Sequence, residues 1–194
     1  MTELRGKLIF ISGVGNHREL WRSDGTAAGT VEVPVTHASE IGVAKQTREV
    51  GFEEFGGNLY FRGCNSSDVV GFWKTDGTSA GTVEIVIRDA HVSGAWPWYF
   101  TKFGQKFFFS GFDEDRKSQL WESDGTPLGT IQVVPVRRAS NASGLTPAFL
   151  TPLNGKLLFQ GKRYFRCTLT RALSTDGLRI GNGIWSDQTA VALA

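Results

Sequence analysis

Three short motifs recur along this sequence in a fixed order, and this repeat constrains the fold more than any other feature. The most distinctive motif, a Trp followed by the letters DGT, returns about every 50 residues, a spacing typical of stacked repeat architectures. Its copies begin at Glu19 (ELWRSDGTAAGTVEV), Gly71 (GFWKTDGTSAGTVEI), Gln119 (QLWESDGTPLGTIQV) and, in degenerate form, Arg171 (RALSTDGLRIG). The run GKLIFIS and its equivalents begin at Gly6, Gly57, Gly104 and Gly155. A spaced apolar pair precedes this run in three repeats, as Phe52-x-x-Phe55, Phe100-x-x-Phe103 and Leu150-x-x-Leu153. We therefore predict a chain made of repeated structural units.

Each repeat has the pattern of four short strands. In the second strand, Leu8 and Phe10 fall on one face and Ile9 and Ile11 on the other, because side chains alternate along a strand. A sheet that is apolar on both faces has to be covered on both sides. The fourth strand alternates Val with Glu or Pro, which is typical of an outer edge. The sequence predicts an all-β, β-propeller-like array of about four four-stranded antiparallel repeats.

The repeats divide the chain into one repeat domain of four parts. We place them at 1–47, a partial first repeat that begins at its second strand, 48–95, 96–146 and 147–194, a degenerate fourth repeat. Because the first repeat is partial and the fourth degenerate, the chain holds about three and a half blades, whereas closed propellers use about four to eight. Two alternatives follow: the tail GIWSDQTAVALA supplies the missing first strand and closes a small ring, or the array is incomplete and its open sheet edges favour self-association.

Composition and charge exclude several classes of protein. The net charge is +2 with scattered basic residues, which argues against a nucleic-acid interface. No apolar run is long enough for a membrane span or a signal peptide, so the chain is cytoplasmic if it is complete. The two cysteines, Cys64 and Cys167, allow at most one bridge. The 24 glycines and 14 phenylalanines suit short strands joined by tight turns.

The DGT segments are expected to be turns between the third and fourth strands. The Asp side chain accepts hydrogen bonds from the backbone just ahead of it, and the following Gly supplies a positive φ. A structural turn is therefore the role we predict for Asp24, Gly25, Thr26, Asp76, Gly77, Thr78, Asp124, Gly125 and Thr126. The alternative is a repeated cation or sugar site, but one carboxylate per turn is too few for Ca²⁺. Sialidase propellers carry Asp-box turns of similar composition, and these are structural.

The segments ELWRSDGTAAGT, GFWKTDGTSAGT and QLWESDGTPLGT resemble the bacterial ELWxxDGT repeat, which is sometimes grouped with hyalin-type repeats. The resemblance extends over residues 1–160 or so and includes the upstream runs such as GKLIFIS. It implies a propeller-like region of large bacterial proteins that are often secreted or attached to the cell surface. It implies no catalytic residues.

Two segments are candidate ligand sites. The third repeat inserts Trp96, Trp98 and Tyr99, of which Trp98 aligns with Val50 and Ala148 and is expected to pack inward. Trp96 and Tyr99 are expected to have no equivalents in the other repeats. Extra core filling is the favoured explanation, because large aromatic side chains are usually packed; exposed rings there would instead stack on a sugar or anchor a protein. The acidic run Asp113, Glu114 and Asp115 is a candidate Ca²⁺ site, but a solvated acidic loop beside Arg116 and Lys117 is the favoured explanation, because fewer than six ligands are in view. We predict no metal and no cofactor beyond that candidate.

Three hypotheses of function follow. The first is a non-enzymatic scaffold that binds carbohydrate or protein at a cell surface. The second is a fragment of a propeller-type glycan hydrolase or lyase, with Glu53, Glu54 and Lys102 as polar residues on the first strands of their repeats. The third is a structural spacer without a ligand.

Overall fold

The computed structural model describes residues 1–14, 17–35, 38–41, 52–133, 144–161, 167–168, 182–183 and 190–193. Every regular element within these ranges is a β-strand, and none of these residues is helical. All pairs of neighbouring strands run antiparallel. The all-β prediction is confirmed, whereas the propeller arrangement stays a prediction. The degenerate DGT segment at 171–181 and Val50 lie outside the described residues.

The first sheet has the order β1-β2-β3-β4. Its strands are β1 (Thr2–Leu4), β2 (Lys7–Val14), β3 (His17–Ser23) and β4 (Val31–Val33). The expectation that the first repeat begins at its second strand is wrong, because β1 is a short first strand that pairs with β2. It escapes the sequence pattern because only Leu4 of its three residues is buried, so no spaced apolar pair marks it.

The second sheet contains five strands. They are β5 (Ala38–Ile41), β6 (Glu53–Phe55), β7 (Asn58–Asn65), β8 (Val70–Thr75) and β9 (Val83–Ile85). The main order is β5-β7-β8-β9, and β6 also pairs with β7. The first-strand position of this repeat is therefore shared by two segments: β5 pairs with residues 63–65 of β7, and β6 with residues 58–60.

The third sheet has the order β10-β11-β12-β13. Its strands are β10 (Trp98–Phe103), β11 (Lys106–Phe112), β12 (Ser118–Ser123) and β13 (Ile131–Gln132). Downstream lie β14 (Ala148–Leu153), β15 (Lys156–Gln160), β16 (Cys167–Thr168), β17 (Asn182–Gly183) and β18 (Ala190–Leu193). β14, β15 and β18 form the fourth sheet, and β16 pairs with β17.

The position of β18 corrects the idea that the tail completes the first repeat. Residues 190–193 pair with β15, with Leu158 opposite Ala192. The tail thus occupies the third position of the fourth sheet, the place that the Trp strand has in the other three.

Two-residue turns connect the first and second strands of each sheet. At Arg5-Gly6 and Asn154-Gly155 both central residues have positive φ, 52° and 75° in the first turn and 49° and 69° in the second. Two positive φ values define a type I′ turn, whose twist matches that of the strands it joins. These turns fix the register, and with it the face on which each apolar side chain lies.

The chain forms two compact units, Met1–Arg88 with Val92–Pro97, and Asp89–His91 with Trp98–Ala194. Each sheet has what we call a Trp face, on the side of Trp21, Trp73 and Trp121 in the first three sheets and of Leu157 and Phe159 in the fourth, and an aliphatic face on the opposite side. In the first unit the core joins the aliphatic face of the first sheet to the Trp face of the second; its buried members are Leu4, Ile9, Leu20, Val33, Leu59, Phe61 and Trp73. In the second unit the corresponding core contains Phe108, Leu120, Val133, Leu145, Leu150, Leu157 and Phe159.

Candidate functional site

The second DGT turn shows how these segments use their polar atoms. Oδ1 of Asp76 accepts hydrogen bonds from the backbone N–H of Thr78 at 2.9 Å and from its hydroxyl at 2.7 Å. The Thr78 Oγ1 in turn accepts from the N–H of Gly81 at 3.0 Å. Thr75 and Thr82 join the two strands through their hydroxyl oxygens, 2.7 Å apart. The same bonds occur in the other two turns, at Ser23, Asp24, Thr26, Gly29 and Thr30 and at Ser123, Asp124, Thr126, Gly129 and Thr130.

Two glycines make each of these turns fit. Gly77 has a φ of 86°, which is strained for any residue with a Cβ. At Gly81 the obstacle is space, because an added Cβ would lie 2.0 Å from Oδ1 of Asp76. Gly29 and Gly129 stand in the same relation to Asp24 and Asp124. One oxygen of each carboxylate thus lies against the backbone of its own turn, which supports a structural role for the motif.

Hydrogen bonding lowers the pKa of all three turn carboxyls below the usual 3.8. The main cause is the backbone N–H of Thr26 for Asp24 and the hydroxyl of Thr78 for Asp76. For Asp124 burial opposes the change, but the two bonds from Thr126 outweigh it. The ionised form is the one that the fold stabilises, because only the carboxylate gains from these donors.

The acidic run of the third repeat is a hairpin loop whose Asp residues are occupied by local partners. Oδ1 of Asp113 accepts from the N–H of Lys117 at 2.8 Å, and Oδ2 accepts from Nε2 of Gln119 at 2.9 Å. Asp115 forms an ion pair with Lys117 at 2.7 Å, which lowers the pKa of Asp115, and Glu114 is exposed. Among the described residues no three His, Cys, Asp or Glu side chains are grouped to hold a metal.

The same loop in the second repeat explains the role of Asp113. There Asn65 Oδ1 accepts from the N–H groups of Ser67 at 3.0 Å and Val69 at 3.1 Å. The backbone N–H of Asp68 bonds to the Asn65 carbonyl at 2.9 Å, as that of Arg116 does to the Asp113 carbonyl. Asp113 therefore stands where Asn65 does, as the side chain that closes a turn.

Trp96 is partly buried within the first compact unit. It packs against Cys64 and Val70, and its indole N–H donates to the carbonyl of Ser93 at 3.1 Å. Its backbone N–H donates to the carbonyl of Val70 at 3.2 Å. These contacts make Trp96 a packing residue of that unit more than a presented ring.

Trp98 and Tyr99 belong to the second compact unit. Trp98 is half-buried, with its ring edge-on to Phe112 at 5.6 Å. Tyr99 is 47% exposed and lies beside Phe149, which is 66% exposed; the ring centroids are 5.6 Å apart and the planes meet at 44°. The expectation that Tyr99 has no equivalent is wrong, because Phe149 holds the aligned position in the next repeat.

β10 and β14 each contain a β-bulge, and these bulges turn the rings of Tyr99 and Phe149 outward. The register shifts between Trp98 and Thr101 in β10, and at the aligned place in β14. Tyr99 and Phe149 have φ values of 57° and 54°, a conformation that non-Gly residues rarely adopt. Bulges of this kind re-aim side chains and are frequent next to functional sites.

One threonine links the two bulged strands and another braces its own bulge. Oγ1 of Thr101 donates to the carbonyl of Leu150 at 3.1 Å, which links β10 to β14. Oγ1 of Thr151 donates to the carbonyl of Phe149 at 3.0 Å, within its own bulge. We call Tyr99 and Phe149 the aromatic pair. The backbone geometry of the two bulges holds this pair in place. The alignment of Trp98 with Ala148 is the sequence signal for it, because the next residues in the two repeats are Tyr99 and Phe149.

The polar residues of the hydrolase hypothesis are not arranged as an acid–base pair. Glu53 lies opposite Tyr60 and Glu54 opposite Leu59, so the two carboxylates fall on opposite faces of the sheet. Oε1 of Glu54 accepts from the N–H of Gly57 at 3.0 Å and closes the hairpin turn. Lys102 belongs to the other compact unit.

A cleft of about 400 Å³ opens at the end of the first sheet, between Phe10, Ser12, Arg18 and Phe52. Its described lining contains no carboxylate, whereas glycan hydrolysis normally uses two. In the part of the chain that the structure describes, no helix has the length and apolar character needed to cross a membrane. Searches of protein-family models, curated proteins and solved structures found no match to this chain.

Proposed function

We propose that this chain is a non-enzymatic, β-propeller-like repeat scaffold that binds a carbohydrate through the aromatic pair. The carrying observation is that Tyr99 and Phe149 are both exposed, adjacent and fixed by strained bulges. Rigid aromatic rings present a large apolar surface at low entropic cost, and Tyr adds a polar group at its edge. A secreted or cell-surface location is implied by the resemblance to the bacterial ELWxxDGT repeat.

Support for the scaffold role comes from the three DGT turns. In each turn, Oδ1 of the Asp and the Thr hydroxyl form hydrogen bonds within the turn. The repeated motif therefore maintains the framework, and ligand binding falls to positions that differ between repeats. The hydrolase alternative has weaker support, because Glu53 and Glu54 face opposite ways. Turnover of a glycan panel that Glu53→Gln or Glu54→Gln abolishes would favour it.

The test begins with a glycan array and continues with calorimetric titration of the strongest hit. Tyr99→Ala and Phe149→Ala should each weaken binding at least tenfold, or about 1.4 kcal/mol, while Tyr99→Phe should retain most of it. Leu128→Ala is the matched control, because Leu128 is 75% exposed in the same compact unit and lies away from the pair on the third DGT turn.

Substitution at a positive φ also changes the backbone, so a second variant is needed. Tyr99→Gly removes the ring and relieves the strain, so this variant should fold at least as stably and still lose binding. Undiminished affinity in both Tyr99→Gly and Phe149→Ala would contradict the proposal. A folded chain that binds no glycan would favour a protein partner or the spacer hypothesis.

A further inference from the structure

The Trp face of the first sheet is the least covered of its kind in the described structure. Leu8 on this face is 37% exposed, and Phe10 and Trp21 are partly exposed. Their equivalents in the second sheet, Leu59, Phe61 and Trp73, are 0%, 0% and 1% exposed. The same residue types therefore form an open apolar surface in one sheet and a closed core in the next.

The structure contains two examples of what covers a Trp face. In the first compact unit the aliphatic face of the first sheet, through Ile9, Leu20 and Val33, packs on Leu59, Phe61 and Trp73. In the second unit Phe108, Leu120 and Val133 of the third sheet pack in the same way on Leu157 and Phe159. In both cases the covering element is an aliphatic face of the preceding repeat.

The rings on the open face are already arranged as they are in a covered sheet. Phe10 and Trp21 stack with centroids 6.4 Å apart and planes 21° apart. Phe109 and Trp121, which are fully buried, stack at 6.4 Å and 10°. Docking on the Trp face of the first sheet would thus require little rearrangement of these rings.

Charge adds a second criterion for the partner. Glu3 lies opposite Leu8, Glu32 opposite Trp21 and Glu19 opposite Ser12, so three exposed carboxylates surround the open face. The second sheet has Glu54 and Glu84 at two of these places, opposite Leu59 and Trp73. The aliphatic face that covers the second sheet carries basic residues at its margin, namely Lys7, Arg18 and Arg22.

We propose that the Trp face of the first sheet is a docking surface for the aliphatic face of a further repeat of this type, with apolar residues at its centre and basic residues at its margin. Apolar burial supplies the attraction, and the acidic margin selects the partner by charge. A second copy that docked Trp face to Trp face would place Glu3, Glu19 and Glu32 against themselves, which like-charge repulsion disfavours.

The test supplies such a repeat to the intact chain. A copy of residues 1–51 is fused ahead of Met1. The added copy then precedes the first repeat in the same way as the first repeat precedes the second. Trp21→Phe in the added copy leaves the original Trp21 as the reporter. With 5-fluorotryptophan labelling, the ¹⁹F solvent isotope shift of Trp21 should fall to that of Trp73, which is 1% exposed.

Charge reversal provides the control. Lys7→Glu, Arg18→Glu and Arg22→Glu in the added copy should prevent docking, so that the isotope shift of Trp21 returns to its value in the unfused chain. Adding Glu3→Lys, Glu19→Lys and Glu32→Lys in the original repeat should make the charges complementary once more and lower the shift again. An unchanged Trp21 signal in the folded fusion would overturn the proposal, and so would an added copy whose strands gain no hydrogen-exchange protection. A dimer of the unfused chain that Leu8→Lys dissociates would overturn it too, because the occupant would then be a second copy.

Discussion

The first and second sheets have the same repeat sequence pattern but bury it to different extents. The aliphatic face of the first sheet is closed, with Ile9 1% exposed, while Leu8 on the opposite face is 37% exposed. In the second sheet both neighbours on the strand, Leu59 and Tyr60, are at most 3% exposed. An apolar side chain therefore contributes stability in proportion to the area that a neighbouring sheet removes from water.

The largest predicted effect is a difference between equivalent phenylalanines. Phe61→Ala should lower the free energy of unfolding by about 3–5 kcal/mol, because the ring is fully buried and its removal leaves a cavity. Phe10→Ala should cost roughly 1–2 kcal/mol, since its ring is still partly exposed to water. Urea unfolding followed by Trp fluorescence measures both, and equal losses would contradict the comparison. In the fusion with an added repeat, the cost of Phe10→Ala should approach that of Phe61→Ala.

A smaller effect is expected in the DGT turns. The hydroxyl pair Thr75–Thr82 is buried, and Thr75 also accepts a bond from the N–H of Gly77 at 3.0 Å. Thr75→Val keeps the shape of the side chain but leaves buried partners unsatisfied, which should cost about 1–3 kcal/mol. Ser23→Ala in the more exposed first turn should cost under about 1 kcal/mol, because water replaces the lost hydroxyl.

Thermal or urea unfolding of these two variants in parallel checks the order of the costs. If Ser23→Ala lowers the free energy of unfolding as much as Thr75→Val does, burial does not determine how much each turn contributes to stability.

The smallest effect concerns pH. The pKa of Asp76 is lowered in the folded state, so its contribution is complete above the unfolded value near 3.8 and is lost as the pH falls through the folded value. Asp76→Asn retains an acceptor oxygen but cannot titrate, and should flatten the acid side of the stability curve. Unfolding measured in urea between neutral and acid pH would show it.

Salt separates this behaviour from that of a surface ion pair. The main donor to Asp76 is the uncharged hydroxyl of Thr78, so most of its contribution should persist in 1 M salt, where the screening length is about 3 Å. The pKa of Asp115 is lowered by Lys117, and its contribution should shrink under the same conditions. Equal salt sensitivity of Asp76→Asn and Asp115→Asn would contradict this account.

The sequence predicted the strands where the apolar period is long and the DGT turns where the bonds are local. The backbone N–H of Thr26 bonds to Asp24 only two residues away, so the local sequence is enough to indicate this contact. β1 escapes the sequence pattern because three residues carry too little of it, and the contact of Tyr99 with Phe149 escapes it because the bulges that position the two rings leave no periodic signal. One of the two alternatives placed the tail in the first repeat, whereas it pairs with β15, because strand partners distant in sequence leave no local signal.

Period-two alternation and the repeated DGT turn therefore determined by themselves that this chain is all-β and which side chains point to each face of its sheets. Both depend on contacts within a few residues, which any copy of the motif makes alike. Only the tertiary structure decided which Trp face is covered and that Tyr99 lies against Phe149, because these depend on the neighbouring sheet and on bulges in two different repeats. Repeats of similar sequence therefore differ in burial and exposure because the fold places different neighbours against them.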